Sequence, residues 1–331
     1  MALSNTYSPT APAATTGTGS AVANREDLSN ELTILAPEDT PILSLCPKLK
    51  TTSTFYEWTV DKLSDPVTTG VLENADVSSF TDQFASRGRI GNYVQIFRDN
   101  YQVSNLQQAT TSVGPANIAQ AEAKSMRQLK RNIEARIAGN DEMTVENGSS
   151  VPYAMRGLGK WIQNTAQATA PVPTDFRTPT GSIKTAAAGA ITETNFNDLI
   201  GSIFNVNGEM NSLTLIAGSA VRRAVSGFTR TSGATGNTYQ VTQDSTSKKI
   251  TLSVELYDTD FGVVKVMNAN PACQLSTTGY VLNPKYLGFA SLIPMGSTRM
   301  VNNGGGERGY VDAVGTLVCR HPGAHGKITI P

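Results

Sequence analysis

Gly304, Gly306 and Gly309, in RMVNNGGGERGYV (299–311), match G-x-G-x-x-G, the spacing of a turn that holds a dinucleotide pyrophosphate. That chemistry needs a strand before the glycines and a helix after them, so that the phosphates lie at a helix N-terminus. Here Gly309 is followed by YVDAVGTLVCR, in which Val311, Ala313, Gly315, Leu317 and Cys319 alternate with Asp312, Val314, Thr316, Val318 and Arg320. Alternation with period two is the pattern of a strand. In a chain of 331 residues, 22 remain after Gly309, fewer than the roughly 30 of a βαβ unit. The glycines are read as a loop joining two strands, and no cofactor is expected.

The other reactive constellations are thin. Cys319, His321 and His325 fall together in CRHPGAH. His-x3-His spacing suits zinc, but a structural site takes four ligands and no second cluster supplies the rest. The expectation is a surface tail with no metal. The chain has only two histidines, so a hydrolytic triad would have to use one of them, and no G-x-S-x-G elbow is present. Lys160, in GLGKW, lacks the spacing and the Ser or Thr of a phosphate-binding Walker loop. Asp258 and Asp260 sit where a strand-connecting turn would favour acids anyway. Nothing converges on an active site, and the chain is read as a non-enzyme.

Composition narrows the class. Twenty-seven basic residues balance 27 acidic ones, so no strong net field draws the molecule to nucleic acid or membrane. Cys46, Cys273 and Cys319 are too few and too scattered for a disulfide framework, which fits synthesis in a reducing compartment. The N-terminus lacks the basic start and apolar core of a secretory signal. No apolar run approaches the roughly 20 residues of a membrane span. A soluble product is expected.

The elements that would carry function are extended. Residues 1–24 hold almost no large apolar side chain and are expected to be mobile alone. Residues 25–50 carry apolar clusters, Ile42 and Leu43 among them, broken by Pro37, Pro41 and Pro47; they read as an extended arm laid on something else. Two long alternating runs follow. TSTFYEWTVDKL (52–63) places Tyr56, Trp58 and Val60 on one face. RIGNYVQIFRDNYQVS (89–104) sets Tyr93, Phe97, Tyr101 and Val103 opposite Ile90, Val94 and Ile96. The 25 residues between them, 64–88, are too many for a hairpin turn, and long loops usually have a job. A two-stranded ribbon of this kind is marginal alone, and its edges invite another chain. The alternative is a sheet completed by later strands of the same chain.

The clearest helix is PANIAQAEAKSMRQLKRNIEARIAG, with Pro115 in its first turn and Gly139 as its stop. Ile118, Met126, Leu129, Ile133 and Ile137 mark an apolar face interrupted by Glu122. The other face carries Lys124, Arg127, Lys130, Arg131 and Arg136 against Glu122 and Glu134, and is either solvated or set to meet a polyanion or an acidic neighbour. Residues 164–190 read as loop or boundary. From 192 the pattern turns to a compact α+β unit: a helix with Phe196, Leu199, Ile200 and Ile203 on one face, a buried strand SLTLIAG, and a helix capped by Ser219. Strands near 237–242, 249–257 and 261–268 complete it. Residues 271–331 are strands again.

This order resembles the HK97-type major capsid protein of tailed bacteriophages, and specific segments point to its SU10-like branch. They are EDTPILSLCPK with FYEWTVDKL, then GNYVQIFRDNYQVS, then KRNIEARIAGN with RGLGKWIQ, and the closing run from GYVLNPKYLGF to TLVCRHP. The resemblance covers about 25–331 and implies an α+β, HK97-type capsid fold. It has an N-arm (1–50), an E-loop ribbon (51–104), a P-domain (105–191 and 271–331, with its spine helix at about 115–138) and an A-domain (192–270). It implies a coat protein that self-assembles into hexamers and pentamers of an icosahedral shell, found in the virion and made in the host bacterial cytoplasm. Ile42, Leu43, Tyr56, Trp58, Lys62, Phe97 and Arg98 are the assembly candidates. Lys124, Arg127, Lys130 and Arg131 are the candidates to meet packaged double-stranded DNA without sequence preference. Some relatives crosslink subunits; Lys62 with Asn302 or Asn303 would be the corresponding positions, though no local signature demands it. The arm begins by about residue 25, which leaves no room for a scaffolding segment removed by protease. A separate scaffolding protein, a portal and a decoration protein are therefore the implied partners, with no membrane. An encapsulin-like compartment shell and a β-rich virion decoration protein stay open as alternatives.

Overall fold

The computed structural model describes residues 39–110, 117–186, 191–208, 212–228, 243–244, 249–250 and 255–331. Residues 1–38, Pro115 and the strand expected at 237–242 lie outside them. The chain enters through a short helix α1 (Pro41–Leu45) and strand β1 (Lys48–Lys50). The arm is therefore not wholly extended. Pro41 sets the first helical φ, and the segment closes one turn before running on as a strand.

Strands β2 (Phe55–Val60) and β3 (Gly88–Tyr93) pair antiparallel from Phe55 opposite Tyr93 to Val60 opposite Gly88. Residues 61–87 between them form no helix or strand. The run expected as one strand over 89–104 is two: it breaks at Val94, and β4 (Gln95–Val103) leaves the ribbon to join a different sheet. The break is physical, because β3 needs β2 as its partner while β4 takes its hydrogen bonds from a strand near the C-terminus. Helix α2 (Asn105–Ala109) follows, capped by Ser104.

The spine helix α3 (Ile118–Ala138) is 21 residues long, about 31 Å at 1.5 Å per residue. Its N-cap is Asn117, whose side chain accepts from the Gln120 amide at 3.0 Å. A single turn α4 (Leu158–Trp161) and a short strand β5 (Ile183–Thr185) punctuate the irregular stretch after it. Helix α5 (Glu193–Asn207) is capped by Thr192 and ended by Gly208 in the left-handed conformation, φ 64°. As its spacing requires, Phe196, Leu199, Ile200 and Ile203 are fully buried. Strand β6 (Leu213–Ala217) is buried throughout, and α6 (Ser219–Gly227) follows it. Ser219 is the first residue of that helix and not its cap, which is Gly218. Strands β7 (Gln243–Asp244) and β8 (Lys249–Ile250) form a small hairpin. The chain closes with β9 (Leu256–Thr259), β10 (Gly262–Asn268), β11 (Thr278–Leu282), β12 (Leu287–Met300), β13 (Glu307–Cys319) and β14 (Gly326–Thr329).

Two sheets organise these strands. One runs β1-β12-β13-β4 and packs on the spine through Leu129, Ile133 and Ile137 against Phe97, Tyr101, Val311 and Leu317. The other runs β5-β14-β11-β6-β10-β9 under α5, with Leu215, Val264, Val281 and Ile328 in its core. A boundary at residue 270 therefore cuts through one continuous sheet: β11 and β14, from the last sixty residues, complete the unit begun at 192. Tyr280, on β11, ties the second sheet to the spine helix, its hydroxyl donating to the Ala138 carbonyl at 3.0 Å.

The glycine run does join two strands, β12 and β13, as a hairpin. Gly304 and Gly306 have φ of 94° and 117°, which favours glycine. At Gly309 a Cβ would meet the Thr298 carbonyl at 2.7 Å, so that glycine serves strand packing. The C-terminal histidines are not on a surface tail. His325 is fully buried, its Nδ1 accepting the Asn283 amide at 3.1 Å, and Pro322–Ala324 are buried around it. Among the described residues no group of three His, Cys, Asp or Glu is placed to hold a metal.

Candidate assembly surfaces

The ribbon is fastened at its root and free at its tip. Trp58 lies with its ring 5.7 Å from Trp161, a fully buried residue, and Tyr56 lies 5.9 Å from Trp58. Asn92 on β3 is fully buried: its amide donates to the Leu317 carbonyl at 2.8 Å and its oxygen accepts the Arg156 amide at 2.8 Å. The Arg156 guanidinium is in turn buried, 4.8 Å from the Trp161 ring centre, and pairs with Glu142 at 2.7 Å. Burial pulls its pKa down while Glu142 opposes the shift. A buried network of this kind fixes an orientation, because each group that loses its partner carries a desolvation penalty.

Beyond Val60 the chain changes character. Asp61 and Arg87 pair at 3.1 Å, and the Ser86 hydroxyl donates to the Lys62 carbonyl at 2.7 Å, so the neck of the excursion is closed. The Arg87 hydrogen bond is the main cause that holds the Asp61 carboxyl below its ordinary range. Past this neck, Leu63, Val67, Val71, Leu72, Val77, Phe80 and Phe84 are 64–91% exposed. No isolated globular protein gains by showing so many large apolar side chains on one irregular segment.

The candidate assembly residues divide. Tyr56 and Trp58 are half-buried in the ribbon, and Lys62 is exposed at its neck. Arg98 is exposed on β4, over the Tyr310 ring at 4.9 Å and 3.7 Å from Asp312. Leu43 is half-buried against the core. Ile42 and Phe97, at 0% and 6% exposure, belong to the chain's own core and cannot meet a neighbour in this conformation. Asn302 organises its loop, accepting the Gly304 amide at 2.8 Å.

The spine is also sorted differently from its sequence pattern. Lys124, Arg127 and Lys130 are exposed, whereas Arg131 is half-buried and donates to the Gln128 side chain at 3.1 Å. Arg136 is not on that face; it donates to the carbonyls of Met155 and Glu142 and pairs with Asp141 at 2.9 Å. Glu134 is fully buried, not solvated. Its carboxylate accepts the Ile42 and Leu43 amides at 2.7 and 2.8 Å and the Cys273 thiol at 3.3 Å. Burial raises its pKa, against the pull of those hydrogen bonds. The sequence signal for this latch is slight: a carboxylate beside Ile133, and a Pro-started turn 92 residues away with bare amides to satisfy.

Solved structures of similar fold include phage capsids and an encapsulin. The capsid of cyanophage A-1(L) superposes with a TM-score of 0.64 at 13% identity, covering 93% of this chain and 97% of that one. The capsid of cyanophage P-SCSP1u gives 0.60 at 11% identity, with 95% of each chain covered. The SrpI encapsulin of Synechococcus elongatus gives 0.54 at 10% identity, covering 93% and 92%. The chain therefore has the HK97-type fold, which phage capsids and an encapsulin share. The sequence separates the two: residues 13–330 match the model of the SU10 major capsid protein family. The chain belongs to that family and is a phage coat protein that assembles into a capsid shell. Among curated proteins no relative matches.

Proposed function

We propose that this coat protein forms the hexamers and pentamers of an icosahedral shell around the double-stranded DNA of a tailed phage, assembled in the cytoplasm of its bacterial host. The observation that carries this reading is the excursion of residues 61–87, which exposes its apolar side chains and finds nothing to cover them among the described residues. Laid on an adjacent copy, it gains there the burial it lacks here. Contacts of this head-to-tail kind close into rings under rotation, and rings joined through further contacts make a shell. Tyr56, Trp58, Lys62, Leu43 and Arg98 lie where such contacts fall. Lys124, Arg127 and Lys130, with Arg131 beside them, meet packaged DNA through its phosphates. A scaffolding protein and a portal direct assembly, and a decoration protein binds the finished shell. The chain has no catalytic role.

The test is electron microscopy of the purified chain, alone and with the scaffolding protein encoded beside it, next to a variant lacking residues 1–50. Closed shells from the full chain, lost in the deletion, support the reading. A full chain that stays monomeric or trimeric with scaffold present overturns it.

A further inference from the structure

The excursion is as distinctive in charge as in hydrophobicity. Residues 63–86 contain Asp65, Glu73, Asp76 and Asp82 and not one Lys or Arg. Because the chain balances 27 basic against 27 acidic residues, the remainder carries 27 against 23, an excess of four positive charges. Among the described residues, none of the four acids has an ion pair. A segment that is both apolar and acidic calls for a receiving surface that is apolar and basic.

Such a surface lies beside the ribbon's root. A cleft of about 620 Å³ has Phe176, Val206 and Tyr286 in its walls and Lys62, Lys285 and Arg320 as its cations. Of its acids, Asp61 is already paired with Arg87, which leaves Asp175. Arg320 also lines the adjoining cleft of about 640 Å³ along β2, so one cation serves both. The molecule's own excursion leaves from the edge of the cleft at Leu63 and stays exposed, so it does not fill the space.

We propose that the acidic excursion of a second copy of this chain docks in this cleft. Val77 and Phe80 lie against its apolar walls, with Asp76 and Asp82 beside Lys285 and Arg320. The inference rests on the reading that the excursion overlies a neighbour, and adds which surface receives it and by what chemistry. Docking of this kind is steered by charge, so its rate falls with ionic strength.

A charge swap tests it in the full-length chain. Asp76→Lys with Asp82→Lys reverses the excursion; Lys285→Glu with Arg320→Glu reverses the cleft. All four side chains are exposed, so folding is checked simply by circular dichroism and melting of the unassembled subunit. Each reversed pair is expected to slow shell formation, followed by light scattering and microscopy, by about tenfold or more. The combined swap restores it to within about threefold of the parent. A cleft variant that assembles at the parental rate with the parental salt dependence overturns the proposal, as does a combined swap no better than its components. A cleft variant that fails beside an excursion variant that succeeds also overturns it, and assigns the cleft to another occupant such as residues 1–38. A chain with the excursion removed separates the two levels. If that chain assembles normally, the underlying reading of the excursion fails; if it does not assemble while the cleft variant does, only the docking proposal fails.

Discussion

Glu134 and His325 are buried ionisable groups with opposite consequences for pH. The Glu134 pKa is raised in the folded chain, so its neutral form is favoured there. Its contribution is fully present below the ordinary glutamate value of 4.5 and is lost as pH rises through the higher folded value. Glu134→Gln abolishes this dependence and turns an amide donor toward one of the two backbone amides, at a cost of about 1–3 kcal/mol. Thermal melts of the unassembled subunit should show the gap between parent and variant widest near pH 4 and narrowing toward neutrality. His325 behaves in reverse. Burial, with a smaller contribution from His321, pushes its pKa down to about 3, so the stability it supports is present above 6.5 and is lost as pH falls. With two histidines in the chain, imidazole NMR should show His325 neutral down to about pH 3. A titration near 6.5 would contradict its burial. Neither group could be placed from sequence: helical spacing sets Glu134 one step from the apolar stripe, and only the docked arm decides which side of that line it takes.

At the scale of elements, local pattern served well where an element makes its own core. Helix α5 and strand β6 have the burial that their spacing demands, and the glycine run makes the hairpin that its following strand requires. Pattern failed where a partner decides. The alternation of 89–104 is continuous, yet β3 and β4 belong to different sheets because Val94 is where the pairing changes hands. The arm turn at Pro41–Leu45 depends on Glu134, far along the chain. The closed register of the ribbon supplies a direct test of its excursion. Val60 and Gly88 pair, so an Asn-Gly turn can replace residues 61–87 as a two-residue hairpin. The shortened chain should melt within about 1 kcal/mol of the parent, because the removed residues bury little. It should form no shells by microscopy. On the spine, Lys124→Gln, Arg127→Gln and Lys130→Gln together should leave assembly intact. DNA binding by the unassembled chain should lose salt dependence, its slope falling by about one unit per phosphate contact removed.

The whole molecule shares its stability unevenly between itself and its copies. Two cores, linked where Tyr280 of the second sheet meets Ala138 of the spine helix, stand without a neighbour; the excursion does not. The order of the main helices and strands was legible in the sequence because each has its own periodicity. The boundaries were not, since β11 and β14 return to a sheet begun far earlier, and sequence proximity says nothing of such returns. The central claim is that residues 61–87 obtain from an adjacent copy the burial missing in the subunit. Hydrogen–deuterium exchange of those residues, compared between unassembled subunit and closed shell, tests it most directly. The account predicts fast exchange in the subunit and slowing by about a hundredfold or more in the shell, as for backbone newly paired and covered. Equal exchange in both states would contradict it.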